Sequence, residues 1–195
     1  MKFYDRSEER TGVQVGDPYR PGVDVQCDFV MVYGIDEKMP ERIEAYREKG
    51  YIVHLMTGVS WGHYVDFLDG SFDGKEHWDE GQITYKNEAK AHGHLVPYMC
   101  PSVAFANFLT ERIKAAVDAG VVAIHLEEPE FWVESGYSPA FKREWQIYYK
   151  EPWQDPISTP DAQFKASKLK SYLYRRTLDR LCCELKEYAL SKYGR

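Results

Sequence analysis

Residues 121–132 read VVAIHLEEPEFW, a short apolar run that ends in two carboxylates, a proline and aromatic side chains. The run over 121–126 has the length and β-branched content of a buried strand, and Glu127-Glu128-Pro129 falls where that strand should stop. Carboxylates at the C-terminal end of a strand in an α/β protein stand where ligands are bound and chemistry is done. Working outward, 27–33 (CDFVMVY), 51–57 (YIVHLMT) and 94–100 (HLVPYMC) are further strand candidates. Helices are predicted over 41–49, with Ile43, Ala45 and Tyr46 on the apolar side and Gly50 as stop, and over 104–119. In the second of these Phe105, Phe108, Ile113, Ala116 and Val117 recur at helical spacing before Gly120. A last helix is predicted over 160–193, with Thr159 as N-cap and Pro160 at the first helical position.

Four strands alternating with helices imply right-handed crossovers and an α/β fold with a parallel sheet. A doubly wound sheet and the N-terminal half of a (β/α)8 TIM-type barrel both fit that count. The segments 58–93 and 130–159 each follow a strand end and are rich in Trp, Tyr, His and Asp, and long βα loops gathered on one face are the habit of the barrel. A full barrel takes about 250 residues, whereas the chain has 195. The expected organisation is an irregular arm over 1–22 and a partial barrel of about four strands over 23–195. Its expected complement is either a missing C-terminal half or a second copy in a homo-oligomer, because an incomplete barrel leaves strand edges and interior uncovered.

Composition narrows the function classes. At 44% hydrophobic and 29% charged residues the chain supports a core and carries no sign of disorder. A formal charge of −6 with no basic run argues against nucleic acid as a partner. No segment approaches membrane-spanning length and the charged start, MKFYDRSEER, has no signal-peptide core, so a cytoplasmic protein is expected. Cys27, Cys100, Cys182 and Cys183 lack metal-type spacing and are read as reduced thiols, the adjacent pair as small core residues of a helix.

Cleaving a glycosidic bond takes two carboxyl groups, one to protonate the leaving oxygen and one to attack or to activate water. Neighbours on an extended strand point to opposite faces, so Glu127 and Glu128 are not expected to form that pair. Together YIVHLMTGVSWG, VPYMCP, AIHLEEPEFW, GYSPAFKREW and PDAQFKASKLKSYLYRR resemble the N-terminal barrel half of an uncharacterised glycoside-hydrolase-like group. That group is similar to the clan of (β/α)8 retaining glycosidases that includes β-galactosidases, whose acid/base Glu follows strand four in an Asn-Glu-Pro motif. The resemblance covers most of the chain from Val23 and implies a hydrolase of O-glycosidic bonds in a carbohydrate, with no cofactor. It implies Glu128 as general acid/base and Pro129 as the motif proline, with Glu127 in place of the asparagine that binds the sugar 2-hydroxyl. A Glu there accepts a hydroxyl hydrogen bond but cannot donate the amide one. The clan's nucleophile follows strand seven, for which this chain has no segment. A carbohydrate-binding half-barrel without catalysis is the alternative.

Aromatic residues make up 15% of the chain. Tyr33, Trp61, Tyr98, Trp132 and Tyr137 lie at or after strand ends, where rings stack on sugar faces and polar tips bind hydroxyls, with His63 beside Trp61 as a further ligand contact. Tyr148, Tyr149, Tyr172 and Tyr174 read as structural. Asp66, Asp69, Asp73, Asp79 and Glu80 read as a solvated acidic loop, and Lys142, Arg143, Arg175 and Arg176 as exposed helix cations pairing with Glu144 or Asp179. His92 and His94 have the spacing of a metal-dependent hydrolase, a third reading. Their place before the 94–100 strand puts them at the face opposite Glu128, so no metal site is assigned. His54 and His125 read as strand histidines, either satisfied in the core or bonded to a site carboxylate.

Overall fold

A computed structural model describes residue 7 and residues 9–92 and 96–194. In chain order the elements are β1 Gly12–Val15, β2 Phe29–Tyr33, α1 Met39–Arg47, β3 Ile52–Gly58, α2 Val65–Leu68, α3 Val103–Ala119, β4 Ala123–Glu127, α4 Pro139–Tyr149 and α5 Pro160–Tyr193. The chain divides into two compact units. One comprises Met1–Gly58, Thr110–Glu127 and Cys183–Arg195, the other Val59–Leu109 and Glu128–Cys182.

The first unit holds a four-stranded, all-parallel sheet in the order β1-β2-β3-β4. The α/β parallel sheet expected from the sequence is therefore present, and its strands are neighbours in chain order with no reversal point among them. Alternation along β2 and β3 sorts the side chains by face. Val30, Val32, Val53 and Leu55 are buried on the face against which α1 packs. Phe29, Met31, Tyr33, Ile52 and Met56 on the other face stay half-buried, and His54 is enclosed there between Phe29 and His125. Its Nδ1 lies 3.0 Å from His125 Nε2 and its Nε2 lies 3.2 Å from Glu9 Oε1.

Two strand assignments change. Residues 12–15, inside the stretch read as an irregular arm, form β1, in register with 29–32. The strand is short and starts with a glycine, so its pattern is faint. A Cβ at Gly12 would run into the Phe29 ring, and Asp28 Oδ2 fixes the approach by accepting from the Arg10 and Thr11 amides at 3.1 and 2.8 Å. Conversely, the described part of the predicted 94–100 strand, residues 96–100, is not in the sheet. Pro97 interrupts the donors of a ladder, and its described residues make isolated antiparallel bridges, Gly81 to Met99 and Ala91 to Pro97. One missed strand and one false one leave β4 fourth in order, as expected.

The second unit packs α4 against α5 around Cys100, Ala140, Phe141, Trp145, Ala166, Leu169 and Leu173. A second group of rings joins Tyr64, Phe67, Phe105 and Phe108. Helix caps follow the sequence: Ser138 Oγ accepts from the Phe141 amide and Thr159 Oγ1 from the Ala162 amide. Glu144 is buried and takes a bidentate pair from Arg176 at 2.8 and 2.9 Å, so these are not the exposed charges the sequence suggested. All four cysteines are free thiols, but Cys182 and Cys183 are exposed and not core residues. In the 160–193 pattern they fall on the solvent side of Leu181 and Leu185. Among the described residues no helix is long and apolar enough to cross a membrane.

Candidate functional site

Leaving β4, the chain turns sharply at Glu128, whose φ is 50°. That left-handed conformation is costly for a residue with a Cβ, and it persists only where neighbours over-determine it. Those neighbours are three polar side chains of the second unit. Ser60 Oγ donates to the Glu128 carbonyl and accepts from the Glu130 amide at 2.7 Å. The Tyr174 hydroxyl lies 2.7 Å from Ser60 Oγ and 2.8 Å from the Glu130 carbonyl. Gln82 Nε2 donates to the Glu130 carbonyl at 2.7 Å while its Oε1 accepts from the Trp132 amide at 3.0 Å. Ser60 and Gln82 are wholly buried, so these bonds are made without competition from water. Further on, Lys170 Nζ donates to the Trp132 and Val133 carbonyls at 2.9 and 3.0 Å. Burial pushes the Lys170 ammonium down to about 8.

Beside this loop runs a row of rings. The Tyr98 ring meets Trp132 edge-on at 5.6 Å, and its hydroxyl lies 3.0 Å from His92 Nδ1. His92 in turn leans on Trp61 at 4.7 Å, and Trp61 meets His63 at 6.0 Å. The Trp61 indole donates to the Val96 carbonyl at 3.1 Å, which fixes the ring. Burial, then the negative charge of Glu130 and Glu128, hold the Tyr98 hydroxyl above the ordinary tyrosine range. Trp61 is half-buried and His63 and His92 are exposed, so this end of the row is open to a ligand.

His92, which the sequence had assigned to a different face, thus links Trp61, His63, Tyr98 and Trp132 into one row, and the Glu128 charge is felt at Tyr98. That assignment depended on the 94–100 strand, and it falls with it. His94 lies outside the described residues, and among those described no group of three or more His, Cys, Asp or Glu is arranged for a metal ion. Trp132 offers less than expected, because Lys90 Nζ sits 3.9 Å from its ring centre, held there by Glu134 at 2.8 Å. Tyr137 is committed elsewhere: its hydroxyl donates to Asp155 at 2.6 Å and its ring meets Trp153. Tyr33 and Glu127 belong to the first unit, at the ends of β2 and β4, where Glu127 pairs in register with Gly58. Ser60, Gln82, Tyr174 and Lys170 were missed as site-forming residues. Only Ser60 carried a usable signal, its position just beyond the end of β3 at Gly58.

Compared with known proteins, the chain matches no family model, no curated protein and no solved structure.

Proposed function

We propose that the chain is the N-terminal half of a (β/α)8 barrel of glycosidase type, binding a carbohydrate at the open end of the Trp61, His92 and Tyr98 row with Glu128 as its acid/base carboxyl. The half-barrel part draws support from the consecutive parallel order of β1 to β4 and from the half-buried face of Phe29, Met31 and Met56, which in a closed barrel would be interior. The observation that carries the functional part is Glu128 itself: a left-handed, non-glycine residue directly after β4, pinned by Ser60 and Tyr174. Strain of about 1–3 kcal/mol is retained where a side chain must be aimed. Trp61 supplies a half-buried apolar ring, and the exposed His63 and His92 supply polar contacts of the kind a sugar needs, with the buried Tyr98 hydroxyl holding His92.

Calorimetric titration of the chain with neutral and acidic oligosaccharides checks this, with Trp61→Ala and Glu128→Gln beside it. The expected result is saturable binding that falls at least tenfold in Trp61→Ala, with Glu128→Gln retaining binding but losing any turnover. A chain that binds no saccharide, or a Trp61→Ala variant that binds as well as the parent, overturns it.

A further inference from the structure

We propose that the second unit also carries a serine-dependent acyl-transfer site, in which Ser102 is the nucleophile, Glu80 is its base, and small esters with a short apolar acyl group are the substrates. Nothing in this proposal depends on the carbohydrate site.

Four side chains form one hydrogen-bonded line. Ser102 Oγ donates to Glu80 Oε2, Glu80 Oε1 lies 3.2 Å from His77 Nδ1, and His77 Nε2 lies 3.0 and 3.2 Å from the two Asp73 oxygens. Three of the four are interior, Glu80 being 3% exposed, His77 1% and Ser102 7%. The Phe67 ring lies flat on His77 at 4.0 Å and 9°, which fixes the imidazole plane and so aims Glu80. A nucleophile bonded to a base, and a base oriented by a third group, is the arrangement by which hydroxyl groups are activated.

The line ends at an open groove of about 400 Å³, within the size range of small-molecule sites. Ser102 and Glu80 line it, and Val103, Ala104, Ala140 and Ile147 give it an apolar wall suited to an acyl chain. The Val103 and Ala104 amides open the 17-residue α3. Having no helical carbonyl one turn back, they offer donors at the positive end of the helix dipole, where an oxyanion is stabilised. Lys75, Glu144 and Arg143, the last paired with Asp79 at 2.7 Å, complete the groove lining.

Ser102 also caps α3, accepting from the Phe105 amide at 3.0 Å. Capping uses an oxygen lone pair and needs no carboxylate at the hydroxyl proton. A buried carboxylate costs several kcal/mol unless it is paired; His77 meets part of that need for Glu80, and the bond to the Ser102 proton is the one that capping does not require.

In the reaction, Ser102 Oγ bonds to the ester carbonyl carbon as its proton passes to Glu80, and the carbonyl oxygen becomes an oxyanion. Collapse breaks the bond to the alkoxide oxygen, which takes the proton from Glu80 and leaves as the alcohol. Water then attacks the acyl-serine, giving a proton to Glu80, and that proton returns to Ser102 Oγ as the carboxylic acid departs.

The test is to incubate the full chain with a fluorophosphonate and map the adduct by peptide mass spectrometry, with p-nitrophenyl butyrate hydrolysis alongside. The adduct is expected on Ser102, with Glu80→Gln labelling at least 100-fold more slowly because the base is gone while the volume remains. A folded wild-type chain with no adduct on Ser102, or a folded Glu80→Gln that labels at the wild-type rate, overturns the proposal. If Glu80→Gln loses its far-ultraviolet circular dichroism, the wild-type adduct map alone decides.

Discussion

At the scale of single residues, Glu128 is where local preference and tertiary structure disagree most. Its φ of 50° suits glycine, and only glycine adopts it without steric cost. Comparing Glu128→Gly with Glu128→Ala isolates that cost, since both variants lose the same carboxylate. The glycine variant is expected to be the more stable by about 1 kcal/mol, read as a melting temperature higher by about 2–4 °C. Equal melting would mean that the turn relaxes once the side chain is gone. From sequence, Glu128 was legible as a site residue because a buried run ends there. The side chains that hold it were not, because Ser60, Gln82 and Tyr174 lie 68, 46 and 46 residues away along the chain and each is individually unremarkable. Glu80 shows the opposite failure: five of the six acidic residues between 66 and 80 read as a solvated loop, yet Glu80 is buried and bonded to His77 and Ser102.

At the scale of elements, α4 and α5 are joined by the Arg176 and Glu144 pair as well as by their apolar surfaces. Glu144 is buried, so removing its partner strands a charge. Arg176→Ala is expected to cost about 3–5 kcal/mol, while Arg176→Met combined with Glu144→Met recovers most of it, since a well-packed apolar pair replaces a buried ion pair at little cost. Urea denaturation of the three proteins measures this, and a double variant no better than the single one would refute the account. The long helices α1, α3 and α5 were the most legible elements, whereas α2 and α4 fall inside the stretches read as βα loops. The predicted last helix matches α5 over 160–193, because Thr159 and Pro160 mark its start and its length makes the period plain. The strands were harder. Four residues of β1 are too few to establish a period, and in 94–100 the apolar content of a strand was present without the continuous donors that a sheet requires.

For the whole chain, stability should vary with pH in a way set by a few groups. Burial holds Lys170 near 8 when folded, against an ordinary lysine value of 10.5. Between those values the unfolded chain binds more protons, so this group makes stability rise as pH rises from about 8 towards 10.5. Tyr137 and Tyr174 act in the opposite sense. Burial raises both above the ordinary tyrosine value of 10.0, so the unfolded chain loses its tyrosine protons first and stability falls as pH passes upward through that value. Denaturation midpoints are therefore expected to climb between pH 7 and 9 and to drop by pH 11, with Lys170→Met removing the climb and leaving the drop. A wild-type midpoint that is flat from 7 to 9 would show that Lys170 is not titrating there. At this scale the α/β class was legible from alternation of periods alone, whereas the division into two units was not, because both units draw on α3 and α5 and no linker separates them.

The half-buried sheet face around Phe29, Met31 and Met56 bears on how the folded state is recognised at the bench. Fluorescent reporters such as ANS light up on accessible apolar surface and are commonly taken as a mark of a molten state. ANS fluorescence of the unheated protein therefore measures how far this face accepts a dye, and backbone ellipticity follows unfolding independently of it.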